Sequence, residues 1–279
     1  MAHSASHLSL SSFGRRSFLR GAAVSLAAVP ALGLLGGAAN ARLVVGCIKP
    51  RPESASLADL KQLLPSEIQL VPLYLNVAYG TREEFSNAFP IYERHLTALA
   101  AQRCNLISIE GAPPFMLIGR EAETRMDDGW KQKYGIDMFT SSQNQVNAFR
   151  ALKVKKILGI TSGSGGPDMN KVYAKYFEDN GIGVVAMEGM GVEFRSIPEV
   201  PPATISAFIK KAFAEHKGAD AVYILGSALE ALRLIEPLER DLGVPVVQAI
   251  AARIWEIQKR LRVHEPIKGY GRLLETLPA

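Results

Sequence analysis

The chain has 279 residues, 48% of them hydrophobic and 21% charged. That is an ordinary globular composition, long enough for one large or two small α/β domains. Its 32 basic and 27 acidic residues give a net charge of +5. Three of those arginines stand in residues 1–41, where there is no acid, and no Lys/Arg run with interleaved aromatics follows, so the charge argues against nucleic acid as a partner.

The first element is Arg15-Arg16-Ser17-Phe18-Leu19-Arg20, then an apolar run from Gly21 to about Ala39, then Ala39-Asn40-Ala41. Basic, apolar and small-x-small segments in that order predict a secretory signal peptide over 1–41. The paired arginines before Phe-Leu resemble a twin-arginine signal, which implies the twin-arginine export machinery as a partner and the periplasm as destination. The apolar run is glycine-rich and short, so no stable membrane insertion is expected after cleavage. Val44-Val45-Gly46-Cys47 has the outline of a lipoprotein box, but Arg42 interrupts the apolar run and 43–48 already reads as a strand.

From there strands and helices alternate. The pattern predicts a strand over 43–48, a helix over 56–64 capped by Ser56, and a strand over 68–75. A long helix over 81–101 carries Phe85, Phe89, Tyr92, Leu96 and Leu99 at helical spacing. A buried strand over 106–109 follows, and Pro113-Pro114 is expected to break the chain. An exposed helix over 121–134 and a helix over 143–152 lead to a strand over 156–161. Next come a helix over 168–180 closed by Gly181, a strand over 184–187 and a helix over 202–216. A strand over 221–225, a helix over 228–242, a short strand over 244–248 and a helix over 251–261 complete the series.

Apolar strands alternating with helices imply parallel sheets covered on both faces. The plan also repeats. Val44-Val45-Gly46 matches Ile157-Leu158-Gly159, and the strand leading to Gly111 matches the strand leading to Gly226. The expected fold is therefore α/β, with two Rossmann-like lobes related by pseudo-twofold symmetry. The first lobe is 42–139 plus 253–279, the second is 140–252, and the ligand cleft lies between them.

The candidate site residues sit where strands end in glycine, the place where open α/β sheets bind ligands. Gly111, Ala112, Gly226 and Ser227 are candidates to bind an anion through main-chain N–H groups. Glu110 is the candidate catalytic base, a half-buried carboxylate just before the site glycine; a salt bridge to a neighbouring Lys or Arg is the plainer reading. Ser227 is also a candidate catalytic residue, placed at the N-terminus of the helix expected from Ala228, where a simple N-cap is the alternative. Ser162 and Ser164 belong to a glycine- and hydroxyl-rich loop that could wrap an anion, and no Walker sequence follows it. Tyr79 is a further ligand-binding candidate, Lys49 a possible cleft cation, and Glu188 a secondary acid. The two cysteines, Cys47 and Cys104, lie beside strands and read as buried thiols. With no C-x-x-C or H-x-x-x-H and scattered histidines, no metal is expected.

Two stretches are more specific. They are Ile235-Glu236-Pro237-Leu238-Glu239-Arg240-Asp241-Leu242-Gly243-Val244-Pro245-Val246-Val247, with Trp255 and Gly269-Tyr270-Gly271-Arg272-Leu273 beyond, and Ala148-Phe149-Arg150-Ala151-Leu152-Lys153-Val154-Lys155-Lys156. On these the chain resembles the aspartate/glutamate racemase superfamily, nearest to arylmalonate decarboxylase and next to maleate isomerase, over nearly all of 42–279. The resemblance implies that no cofactor is used and that a carboxylate is held between the lobes. It also implies proton transfer by thiols, two in racemases and the second-lobe one in the decarboxylase. The positions that carry those thiols are Gly111 and Gly226 here, and the Thr/Ser pair after the first is Ala112-Pro113. The expectation is an exported, thiol-free lyase or isomerase of a small (di)carboxylate. The alternative is a non-catalytic periplasmic binding protein for such an acid. Homo-oligomerisation stays open.

Overall fold

The computed structural model describes residues 42–52 and 56–276. The expected signal peptide and its cleavage site lie outside the described residues. The first half contains β1 (Leu43–Lys49), α1 (Ser56–Leu63), β2 (Ile68–Tyr74), α2 (Arg82–Ser86), α3 (Phe89–Ala101) and β3 (Leu106–Ile109). It continues with α4 (Ala112–Ile118), α5 (Arg120–Tyr134), β4 (Asp137–Thr140) and α6 (Ser141–Ala151). The second half contains β5 (Lys156–Thr161), α7 (Gly166–Asp179), β6 (Gly183–Gly189), α8 (Pro202–Glu215), β7 (Ala221–Ile224) and α9 (Ile235–Leu242). It ends with β8 (Val246–Gln248), α10 (Ala249–Leu261) and α11 (Arg272–Glu275).

The strands form two all-parallel, four-stranded sheets of identical plan. One runs β2-β1-β3-β4, the other β6-β5-β7-β8. The first strand of each half therefore lies inside its sheet, flanked by the second and third. The central strands read as unbroken apolar runs because helices cover both faces. Ile107, Ile109, Leu158, Ile160, Val222 and Ile224 are fully buried. Among the described residues no helix is long and apolar enough to cross a membrane.

Several expectations needed correction. The helix expected over 81–101 is two. Thr81 and Glu84 close a capping box on the five-residue α2, and α3 restarts with Pro90 in its first turn. Pro113 and Pro114 do not break the chain. They occupy the first turn of α4, where no N–H partner is lost. The face of α5 is not all exposed, because Glu123, Asp127 and Trp130 are buried. Strand β4 was not anticipated; it is four residues with no alternation to mark it. The helix expected over 228–242 shrinks to α9, preceded by a single 3-10 turn at Leu232–Leu234. Residues 227–229 only bend.

Candidate functional site

The carboxyl ends of β1, β3, β5 and β7 look onto one cleft, holding about 870 Å³ of space not filled by atoms, open solvent included. Its first-lobe side comes from Lys49, Pro50, Arg51, Gly111, Ala112 and Pro113, and its second-lobe side from Ser162, Ser164, Tyr173, Leu225, Gly226 and Ser227. Ser141 and Gln145 of α6, with Ala249 and Arg253 of α10, form its floor, and Phe85, Phe194 and Ile197 stand at its rim.

The two strand-end glycines are both needed, for different reasons. Gly111 has φ +93°, and a Cβ there would stand 2.9 Å from the Tyr92 hydroxyl oxygen. That hydroxyl donates to the Glu110 carbonyl at 2.7 Å and fixes the strand end. Gly226 has φ +86°, but a Cβ there would meet nothing within 4 Å. Its carbonyl accepts from Gln248 Nε2 at 3.1 Å, while Gln248 Oε1 caps α10 by accepting from Ile250 N at 2.7 Å.

Glu110 is fully buried, not half-buried as expected, and it does not line the cleft. Lys49 Nζ lies 2.8 Å and Arg253 Nη1 3.1 Å from its Oε2, with side-chain exposures of 0% for Glu110, 1% for Lys49 and 2% for Arg253. Lys49 Nζ also donates to Ser56 Oγ at 2.7 Å, and Arg253 Nη2 donates to Ser141 Oγ at 3.1 Å. The carboxylate thus backs two cations that face the cleft. A third cation, Arg51, donates from Nη1 to the Phe194 carbonyl at 3.0 Å and stacks on the Phe194 ring at 4.7 Å. Among the described residues the cleft lining contains no Asp, Glu, His or Cys.

The second-lobe side is neutral. Ser162 and Ser164 share a hydrogen bond of 3.0 Å between their hydroxyls. Tyr173 on α7 faces the cleft, and burial pushes its phenol well above the usual range, so it stays protonated at neutral pH. Gln145 accepts from the Tyr223 hydroxyl at 2.5 Å.

The remaining candidates fall as follows. Ala112 and Ser227 line the cleft, but Ser227 caps no helix, since α9 starts eight residues later. Tyr79 does not line it. The Glu84 carboxylate gathers the N–H groups of Ala78, Tyr79, Gly80 and Thr81, which pins this loop with the phenol outward, 59% exposed and covered by Arg195 at 4.3 Å. Glu188 pairs with His216 at 2.8 Å, away from the cleft. Cys47 and Cys104 are free, buried thiols outside the cleft lining, and burial pushes Cys47 up to about 12. Arg51, Gln145, Tyr173 and Arg253 were missed by sequence reasoning. A lone arginine inside the apolar run Ala249-Ile250-Ala251-Ala252-Arg253-Ile254-Trp255 was the available signal.

Comparison with known proteins agrees with this architecture. The family model described as arylmalonate decarboxylase matches residues 45–274. A curated arylmalonate decarboxylase from Bordetella bronchiseptica is 23% identical over 233 residues, 83% of this chain and 96% of that protein. A liganded mutant of arylmalonate decarboxylase superposes with a TM-score of 0.75 at 22% identity, covering 83% of this chain and 98% of its own. The maleate isomerase Iso from Pseudomonas putida S16 gives 0.76 at 17% identity, over 84% and 98%. Maleate cis-trans isomerase from Nocardia farcinica, bound to TRIS, gives 0.77 at 17%, over 84% and 98%. At these identities the solved structures share the fold with this chain.

Proposed function

The chain belongs to the arylmalonate decarboxylase family, and from that premise we propose that it is a cofactor-independent lyase or isomerase of a small (di)carboxylate, working without thiols. The observation that carries this reading is the cleft itself. It joins the carboxyl ends of both sheets, and Lys49, Arg51 and Arg253 line it with no Asp or Glu among the lining residues described. Such a surface attracts an anion and stabilises negative charge that develops on it. The N–H groups at Gly111, Ala112, Gly226 and Ser227 supply further donors.

The chemistry follows from these groups. When carbon dioxide leaves a malonate, the electron pair of the broken C–C bond stays on the α-carbon and spreads onto the remaining carboxylate. Lys49 and Arg253 stabilise that charge, the Tyr173 phenol gives its proton to the carbon, and the phenolate left behind takes a proton from water before the next turnover. Glu110 is set behind the cations and takes the role of their counter-ion rather than that of a base.

The test is proton NMR of the mature protein with malonates, maleate, aspartate and aromatic acids. Product from one of these, lost in Tyr173→Phe with binding retained, is the expected result. No product from any of them, together with thermal stabilisation by one, would establish the second reading, a periplasmic carboxylate-binding protein. That reading draws on a cleft lining free of Asp, Glu, His and Cys among the described residues. A ligand at a hundredfold its Kd adds about 2.7 kcal/mol, enough to see in a melt. Export is proposed from Arg15-Arg16 and the apolar run behind them. Replacing both arginines with lysine should strand the precursor in the cytoplasm.

A further inference from the structure

The floor of the cleft carries donors that the protein leaves unused. Nε2 of Gln145 and Nε of Arg253 have no acceptor among the described residues, although each residue is only 1% exposed. A buried donor without an acceptor costs about 1–3 kcal/mol, so two of them lining one cleft need a cause.

Each is held in place by a neighbour that consumes its other end. The Tyr223 hydroxyl donates to Gln145 Oε1 at 2.5 Å, which leaves the amide NH2 as the free end. Arg253 spends Nη2 on Ser141 Oγ at 3.1 Å, and Glu110 Oε2 lies 3.1 Å from its Nη1. Ser141 and Gln145 are four residues apart, hence on one face of α6, so the bond to Ser141 brings Arg253 to the same side of the cleft as Gln145. The two residues are also counterparts, each the fifth residue of the helix that follows the last strand of its sheet.

The charge is unbalanced in the same place. Lys49 and Arg253 share one carboxylate, Glu110, which leaves one positive charge over. A single ligand carboxylate would neutralise it and accept both orphaned donors, the arrangement that buried charge requires.

We infer that Gln145 and Arg253 form a carboxylate-binding floor that takes one carboxylate of the ligand, and that Glu110 is the positioning residue that holds Arg253 and Lys49 toward it. The ligand's carboxylate then points down between α6 and α10, and its apolar body rises toward Phe85, Phe194 and Leu229. This rests on the proposed function only in taking the ligand to be a carboxylate.

The test is isothermal titration of the mature protein with phenylmalonate, phenylacetate and, as the neutral control, phenylacetamide. Gln145→Glu keeps an acceptor for Tyr223 and nearly the same volume, but sets a negative charge against the ligand's. It should weaken phenylmalonate and phenylacetate about tenfold or more and leave phenylacetamide unaffected. Arg253→Met should lose as much. If that variant does not fold, Gln145→Glu alone decides, with circular dichroism as its check on folding. Carboxylate binding unchanged in folded Gln145→Glu would overturn the inference, as would wild-type protein that binds neither acid. Product formation that Gln145→Glu leaves intact would remove the floor and keep the enzyme. Gln145-dependent binding without product would keep the floor and remove the enzyme.

Discussion

The two lobes have the same strand order and differ where their strands end. At matched positions the first lobe has Lys49 and Glu110, and the second has Ser162 and Leu225; the matched helices carry Gln145 and Arg253. One side of the cleft is therefore an ion-paired wall and the other a neutral one. The backbone symmetry follows from the apolar pattern of the strands, which both halves keep. The asymmetry comes from a handful of side chains at strand ends, which packing leaves free to vary. A symmetric fold so divided can orient a ligand that is itself charged at one end and apolar at the other.

The largest test of this contrast is Glu110→Gln. It leaves two buried cations without a counter-charge and should cost about 3–5 kcal/mol in urea unfolding. A loss below about 1 kcal/mol would show that the charged wall is not what holds the first lobe's strand end. Next is the pair Gly111→Ala and Gly226→Ala. Both ask a side chain to adopt a left-handed backbone, about 1–2 kcal/mol each. Only the first also drives a methyl against the Tyr92 hydroxyl at 2.9 Å. Gly111→Ala should therefore melt several degrees below Gly226→Ala, and equal melting points would erase the difference between the two mouths.

A smaller effect concerns Glu123, another buried acid, which is held by hydroxyls instead of cations. It accepts from Thr140 at 2.5 Å and from Ser142 and Tyr176. Burial raises its pKa above the usual 4.5. The unfolded chain then ionises first as pH rises, so the stability this group contributes is complete below 4.5 and is lost on the way up to its folded pKa. Glu123→Gln should flatten that fall in denaturation curves taken across the acid range, and an unchanged slope would refute the assignment. The smallest effect is expected from alkylation. Cys47 is 0% exposed with its thiol pushed up to about 12, so iodoacetamide should leave native protein unlabelled there and ligand binding unaltered.

The sheets were legible because buried parallel strands are written as unbroken apolar runs, and the repeat of those runs gave the two lobes. Cleft-lining Gly111, Ala112, Ser162, Ser164, Gly226 and Ser227 were legible because glycines and hydroxyls at strand ends mark where backbone meets ligand. Glu110 was picked out, but its burial depends on Lys49 and on Arg253, 143 positions away, and no local pattern encodes that meeting. Gln145 was hidden for the same reason, since its partner Tyr223 lies 78 positions further along the chain. Tyr79 misled because a loop tyrosine looks the same whether it faces a ligand or water; Glu84 decided the matter.

Helices α6 and α10 each leave one sheet and serve the other. Gln145, on the helix after β4, is held by Tyr223 of β7, and Arg253, on the helix after β8, reaches Glu110 beyond β3. A gene severed between residues 152 and 156 would therefore yield two fragments that are each incomplete. The upstream piece would keep an acid stripped of its guanidinium, and the downstream piece a guanidinium with no acid. The halves look alike, but neither is a self-sufficient domain, and the reciprocal exchange of helices makes them fold as one.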